Sequence, residues 1–166
     1  QAKEAKVKVE WVQADATRFQ SKKLFDAAVC LCEGAFGLLG SADDPWEHDY
    51  AILRNISASL RPKAKLILTA LNGCAMIRHY THKDIKNGKF DPLTIVETHP
   101  MEYQKSEGKK SVTVKEKGYV ATELTILFRL AGFEVLHIRG GTAGSWGKRK
   151  LDLDEIEIMF IGRKTN

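Results

Sequence analysis

Apolar residues recur in short runs along the chain, and the runs differ in how polar residues interrupt them. Residues 7–12 alternate apolar with mostly charged side chains, which is typical of a strand with one buried face. Residues 24–34 and 65–72 are nearly continuous apolar runs, which are typical of strands buried on both faces. The last two predicted strands span residues 133–140 and 155–164.

Two segments show helical spacing. In the first, Asp44 is placed to cap a helix, Pro45 fits its first position, and Glu47 can complete a capping box. Pro62 predicts where this helix stops. Its apolar residues recur at helical spacing, at Ile52, Leu53, Ile56 and Leu60.

A second helix is predicted to start near Thr122 and to end with Gly132 at its C′ position. Residues 73–118 precede it and break the regular pattern. An unstructured loop of that length is improbable inside a domain, so we interpret this stretch as an insertion that covers another part of the protein.

The order of these elements predicts an α/β domain with a mostly parallel sheet and an antiparallel last strand. The 166 residues fit a single domain, residues 1–166. The content of 43% apolar and 28% charged residues excludes a disordered or collagen-like chain. Without an apolar run of about 20 residues we expect no membrane span, and three cysteines fit a cytoplasmic protein.

The net charge of +5 permits acidic partners without requiring them. Basic residues are scattered along the chain, which favours a solvated surface over a nucleic-acid interface. Only Trp146, beside residues 148–150, combines an aromatic ring with several basic side chains.

Several segments, taken in order, resemble class I S-adenosylmethionine-dependent methyltransferases from the third strand of that fold to the last. The matching segments are residues 13–19, 24–34, 52–72, 123–138 and 155–164. The resemblance implies a partial Rossmann-like three-layer sandwich and S-adenosylmethionine as cofactor. It also implies methyl transfer to an O, N or C nucleophile. A small-molecule acceptor is our first choice, because residues 73–118 resemble the substrate-covering insertions of small-molecule methyltransferases.

The resemblance assigns cofactor binding to two places. Asp15 and Ala16 match the segment that reads the adenine, although Asp15 could instead cap the turn before Thr17. Cys32, Glu33 and Gly34 end the second predicted strand, where cofactor and substrate meet in the family. Glu33 could act there as a general base, or it could only make a local hydrogen bond.

Substrate contacts are expected from Phe36 in the loop after that strand, and from Tyr80 and Tyr119 in or beside the insertion. Cys30 and Cys32 are spaced as packing residues of one buried strand. No metal is expected. The residues with the most suitable spacing are His79, His82 and Asp84, and no fourth ligand is apparent beside them.

Two features of the family have no counterpart here, the glycine-rich turn after its first strand and the acidic residue ending its second. The segment 34–40 cannot replace that turn, since Phe36 stands where the motif needs glycine. We therefore expect the C-terminal portion of a methyltransferase, inactive by itself. The alternative is a non-catalytic scaffold that binds a protein or RNA partner.

The family's sheet order is 3-2-1-4-5-7-6, so without its first two strands the run at 24–34 would be a bare apolar edge. We expect residues 7–12 to pair directly with residues 25–31, or a second chain, such as the partner in a homodimer, to cover this edge.

Overall fold

The computed structural model describes residues 2–32, 35–105 and 108–166. These residues form helices α1 (Pro45–Ala58), α2 (Gly73–His79), α3 (His82–Lys86) and α4 (Ala121–Leu130). Their strands are β1 (Phe25–Cys30), β2 (Leu38–Leu39), β3 (Leu60–Asn72), β4 (Phe90–Asp91), β5 (Val96–Lys105), β6 (Gly108–Tyr119), β7 (Phe133–Gly141) and β8 (Glu157–Lys164).

The main sheet has the order β1-β3-β8-β7. β1 runs parallel to β3, and β8 runs antiparallel to both of its neighbours, β3 and β7. At its carboxyl end β3 also pairs in parallel with β6 over two residues, Leu71 with Gly118 and Asn72 with Tyr119. β6 is in turn antiparallel to β5 and to the short β2, and β5 is antiparallel to β4.

The prediction of a mostly parallel sheet is wrong, because among the described strands only β1–β3 and β3–β6 are parallel pairs. One cause is the insertion, whose strands β5 and β6 follow each other closely in sequence and so form an antiparallel hairpin. The other is β8, whose reversed direction makes two antiparallel pairs. That antiparallel last strand was predicted correctly.

Helices α1 and α4 pack against the same face of the sheet. Leu66 and Leu68 alternate along β3 with more exposed residues and are fully buried, in one cluster with Leu53 of α1 and Phe128 of α4. Burying each such side chain stabilises the fold by about 1.5–3 kcal/mol. The covering of both faces that a three-layer sandwich implies stays a prediction.

The predicted starts of both helices and the predicted end of α4 agree with the structure, whereas Leu60, predicted in the first helix, begins β3. Asp44 caps α1 by accepting hydrogen bonds from the backbone N–H groups of Trp46 and Glu47, both at 2.9 Å. α1 ends at Ala58, four residues before Pro62. Gly132 lies just after the C-cap of α4 with φ of +85°, a backbone conformation that glycine adopts without strain.

The prediction of a strand at residues 7–12 is wrong, since this segment has no regular structure and does not pair with residues 25–31. Trp11 within it is 82% exposed. On the free edge of β1, Val29 is 68% exposed, and the hydrogen-bonded neighbour of β1 among the described strands is β3 alone. Covering of this edge by another chain stays a prediction.

The predicted insertion, residues 73–118, has structure of its own: α2, α3, β4 and the long hairpin of β5 and β6. Gly73 and Gly118 let α2 lie directly against β6, since a Cβ at Gly118 would be 3.0 Å from the Gly73 Cα. In the described part of the chain, no helix has the length and apolar character needed to cross a membrane.

Candidate functional site

The segment before β1 carries the residues that the resemblance assigns to the adenine. Asp15 Oδ1 accepts hydrogen bonds from the Thr17 backbone N–H at 2.9 Å and from the Thr17 hydroxyl at 2.7 Å. These bonds hold the pKa of Asp15 below its ordinary value. The Asp15 side chain is 56% exposed, and its Oδ2 lies 3.6 Å from Arg18 Nε. Asp15 therefore caps a local turn and also presents a carboxylate to solvent.

Ala16 forms part of the wall of an apolar cavity of about 260 Å³ that runs beside β1. The Ala16 carbonyl accepts a hydrogen bond from the Asn55 side-chain amide at 2.9 Å, which ties this segment to α1. Cys30 at the end of β1 and Ala35 in the following loop line the same cavity. Phe25 at the amino end of β1 lines the cavity too, so the cavity follows the whole strand, and the assignment of Ala16 to the cofactor stays a prediction.

The turn after β1 begins at Cys32, which has a φ of +55° and an exposed side chain. Its backbone N–H donates a hydrogen bond to Thr69 Oγ1 at 2.8 Å. The expectation that Cys32 packs within a buried strand is therefore wrong, because β1 ends at Cys30. Glu33 and Gly34 lie outside the described residues, and their assignment to the cofactor and to catalysis stays a prediction.

A buried carboxylate, Asp49 on α1, organises the loop after β1. It accepts two hydrogen bonds from the Gly37 backbone N–H, at 2.9 and 3.0 Å, and one from the Tyr119 hydroxyl at 2.5 Å. His48 Nδ1 lies 2.7 Å from Asp49 Oδ1. Asp49 and Tyr119 are each 0% exposed. Gly37 has a φ of +83°, which favours glycine at this position.

Two ring side chains beside Asp49, those of Tyr119 and His48, have shifted pKa values. Burial, and then the adjacent carboxylate, raise the pKa of Tyr119, so its phenol stays protonated and donates rather than acting as a base. The hydrogen bond with Asp49 raises the pKa of His48. Phe36 packs on Tyr119 with ring centroids 5.1 Å apart and is also fully buried. The predicted substrate contacts of Phe36 and Tyr119 would need movement of this loop, and they stay a prediction.

Lys117 of β6 is buried beside this group, with 1% of its surface exposed. Its Nζ donates a hydrogen bond to the Thr94 carbonyl at 2.8 Å and lies 3.0 Å from Glu123 Oε1. The ammonium also lies 4.1 Å from the centre of the Trp46 ring and 4.6 Å from that of Tyr119. These contacts replace the water that a buried ammonium loses.

Tyr80, the third predicted substrate residue, lines a second cavity, of about 270 Å³, at the carboxyl end of β3. Its ring stacks on Phe90, with centroids 4.6 Å apart, and its hydroxyl donates a hydrogen bond to Glu97 Oε2 at 2.5 Å. Burial and then Glu97 raise the pKa of Tyr80, so the phenol is a hydrogen-bond donor at neutral pH. Leu71 and Met76 supply apolar walls of this cavity.

Asp49, His48 and Lys117 are not among the residues predicted from the sequence. A signal for Asp49 was present, because residue 49 falls on the apolar face of α1, three and four positions before Ile52 and Leu53. A carboxylate on that face must be buried and must find donors. Lys117 gave no comparable signal in the Lys-rich stretch around it.

No protein-family model and no curated protein sequence matches this chain. Solved structures do match. The methyltransferase CcbJ from Streptomyces caelestis has a TM-score of 0.70 and 15% identity, over 93% of this chain and 67% of that one. An S-adenosylmethionine-dependent methyltransferase from Clostridium acetobutylicum has a TM-score of 0.69 and 9% identity, over 99% of this chain and 68% of that one.

A third structure is that of 1,6-didemethyltoxoflavin-N1-methyltransferase from Burkholderia thailandensis, with 1,6-didemethyltoxoflavin and S-adenosylhomocysteine bound. It matches with a TM-score of 0.56 and 15% identity, over 99% of this chain and 55% of that one. The chain has the fold of the class I S-adenosylmethionine-dependent methyltransferases, which confirms the resemblance at the level of fold. It spans about two thirds of the first two of these proteins and little more than half of the third.

Proposed function

We propose that this chain is the C-terminal part of an S-adenosylmethionine-dependent methyltransferase that acts on a small-molecule O, N or C nucleophile. The observation that carries the proposal is the strand order β1-β3-β8-β7, with the reversed β8 between the parallel strands β3 and β7. This order corresponds to 4-5-7-6 of the family's sheet. The Burkholderia thailandensis methyltransferase, whose structure contains the small molecule 1,6-didemethyltoxoflavin, supports an acceptor of that kind.

The residues around Ala16 fit the adenine half of the cofactor. The cavity beside β1 is apolar and slightly smaller than a typical whole-ligand pocket of about 300–1,000 Å³, so it suits a flat ring better than the entire molecule. Asp15 Oδ1 is held by Thr17, and a carboxylate has further acceptor sites on Oδ2 for the exocyclic amine of adenine. When bound, the cofactor supplies an electrophilic methyl group.

On the substrate side, this chain would orient the acceptor from the insertion. Tyr80 and Glu97 combine a stacked ring with a carboxylate at the second cavity, and both side chains are part-buried. Glu97 can accept a proton or a hydrogen bond from an acceptor hydroxyl or amine. Such positioning of a nucleophile is the main contribution that this kind of displacement needs from a protein.

Replacing Asp15 tests the cofactor site. In the full-length protein, Asp15→Ala should weaken S-adenosylmethionine binding about tenfold to a hundredfold, because a hydrogen bond to a charged acceptor contributes about 1.5–3 kcal/mol. Asp26→Ala is the matched control, since it removes another exposed carboxylate, near the opposite end of β1. Thr17→Val removes a hydroxyl donor of the turn and keeps the carboxylate. Calorimetric titration that gives Asp15→Ala the affinity of the wild type would remove Asp15 from the site.

The 166 residues alone should bind the cofactor weakly or not at all. The sequence has no counterpart of the glycine-rich turn and acidic residue that hold ribose and methionine, and each lost hydrogen bond costs about 1–3 kcal/mol. Equilibrium binding of labelled S-adenosylmethionine, with S-adenosylhomocysteine as competitor, measures this. A competable Kd in the low micromolar range would place the whole cofactor site within these residues. A full-length protein that folds but binds no cofactor would favour the non-catalytic scaffold.

A further inference from the structure

Three metal-ligating side chains meet on one face of the β5–β6 hairpin, away from the adenine cavity. Glu97 and Glu116 lie directly opposite each other in the strand register, and His99 lies two residues further along β5. His99 Nε2 is 3.5 Å from Glu116 Oε2, and His99 Nδ1 is 3.9 Å from Glu97 Oε1. One ligand atom from each of the three residues can be chosen so that all lie within 4.8 Å of one another.

Two carboxylates placed directly opposite each other on a strand pair repel and destabilise it unless a positive charge lies between them. Among residues 2–32, 35–105 and 108–166, no Lys or Arg nitrogen lies within 4.0 Å of Glu97 or Glu116. Both carboxylates are also largely buried, with side chains 19% and 22% exposed. A cation or a shared proton can relieve this repulsion, and burial, followed by the charge of Glu97, raises the pKa of Glu116. The imidazole of His99 lies within 4.0 Å of both carboxylates.

The surroundings hold this cluster in place. The hairpin pairs continuously from Val96 with Lys117 to Lys105 with Gly108, so the three ligands stand on paired strands rather than on a loop. The Tyr80 hydroxyl donates to Glu97 Oε2 and leaves Oε1 on the side of His99. An outer hydrogen bond of this kind orients the carboxylates of metal sites.

We propose that Glu97, His99 and Glu116 bind one divalent metal ion such as Zn²⁺. Ligand atoms bonded at about 2.0–2.2 Å to one zinc ion lie roughly 3.5 Å apart. Only one nitrogen of the His99 ring can bond to that ion, so side-chain rotations must draw together the three ligand atoms, which now lie within 4.8 Å of one another. One imidazole nitrogen and two carboxylate oxygens suit Zn²⁺, Mn²⁺ or Co²⁺ better than a thiolate-selective metal. Two carboxylates and a dication are together neutral.

The site would serve the proposed acceptor pocket, because Glu97 lines the second cavity as well as the cluster. Three protein ligands leave at least one coordination position for water or for an oxygen or nitrogen of a bound molecule. Metal binding is measured without cofactor or acceptor, so its outcome is independent of methyl transfer.

Titration of the metal-free chain with Co²⁺, followed by visible absorption and by calorimetry, tests the site. We expect one Co²⁺ per chain, displaced by Zn²⁺. Glu116→Gln and His99→Ala should each weaken binding by more than tenfold, and Tyr80→Phe by about tenfold to a hundredfold, as for other outer hydrogen bonds to metal ligands. The matched controls, Glu102→Gln on the same hairpin and His82→Ala on α3, should bind as the wild type does.

A second measurement needs no variant. In the wild-type chain, Mn²⁺ at substoichiometric concentration should broaden the imidazole resonances of His99 before those of His82 and His137. Absence of saturable one-to-one binding would overturn the proposal, as would equal broadening of all histidines or binding that survives Glu116→Gln. Those results would leave Glu97, His99 and Glu116 as a polar cluster that binds no metal ion.

Discussion

The hydrogen bond from Tyr119 to Asp49 should contribute more to the free energy of unfolding than most single polar contacts in the chain. Both side chains are 0% exposed, and the hydroxyl lies 2.5 Å from the carboxylate. Tyr119→Phe keeps the ring and its packing on Phe36 and removes only the donor. A hydrogen bond to a charged group contributes about 1.5–3 kcal/mol, so the free energy of unfolding should fall by about that amount.

For a chain of this size, each kcal/mol corresponds to roughly 2–4 °C in Tm, so the expected fall is about 3–12 °C. Urea unfolding followed by circular dichroism gives the free energy directly, and an unchanged m-value would show that the unfolded state is unaltered. Tyr50→Phe is the matched control. Its hydroxyl donates at 3.3 Å to the Leu130 carbonyl at an exposed position, so the loss should stay within about 0.5 kcal/mol.

A double-mutant cycle with Asp49→Asn separates the pair from its surroundings. The two changes should couple by roughly 0.5–3 kcal/mol, because Tyr119→Phe removes the donor of this hydrogen bond and Asp49→Asn removes the charge of its acceptor. If Tyr119→Phe costs no more than Tyr50→Phe, or if the two changes add without coupling, the buried carboxylate does not organise this loop as the distances indicate.

Two further predictions concern α1. The hydrogen bond with Asp49 raises the pKa of His48 above its unfolded value near 6.5. The contribution of His48 to the free energy of unfolding is therefore complete below about pH 6.5 and is lost as pH rises through the folded-state pKa. Urea unfolding between pH 5 and 9 should show this fall in the free energy of unfolding for the wild type. The fall should be smaller in His48→Asn and as large as in the wild type in the control, His82→Asn. Asp44→Ala should lower the free energy of unfolding by about 1 kcal/mol, and Asp44→Asn should restore most of it. If the capping hydrogen bonds contribute no stability, the two variants will have the same free energy of unfolding.

The parts of the fold that the sequence predicted correctly depend on local chemistry. Asp44 with Pro45 marked the start of α1, and Gly132 marked the end of α4, because caps and positive φ angles are decided within a few residues. The strand predicted at residues 7–12 failed for the opposite reason. Alternation shows that a segment could pair, but a strand forms only where a partner strand is available.

The candidate site divides in the same way. Ala16 and the end of β1 line one cavity, since the order of segments along the chain fixes which loops meet at one sheet edge, and the assignment of Ala16 to the cofactor stays a prediction. The cluster of Glu97, His99 and Glu116 was not foreseen. Its members are brought together by the register of the hairpin, and a shift of one residue would turn the side chains of one strand to the other face.

β6 pairs with two different strands, with β5 in the exposed hairpin and with β3 at a buried junction. Near the hairpin tip its residues 109–113 are exposed, whereas Lys117, Gly118 and Tyr119 are buried and paired with or packed against the main sheet. Local opening at the tip therefore exposes little apolar surface, but opening that reaches Gly118 must break the core. Amide hydrogen exchange should accordingly slow by orders of magnitude along this one strand, with the tip exchanging by fraying and the junction only by global unfolding. The exposed end of the hairpin can therefore open while the core stays intact, whereas its base opens only when the whole domain unfolds.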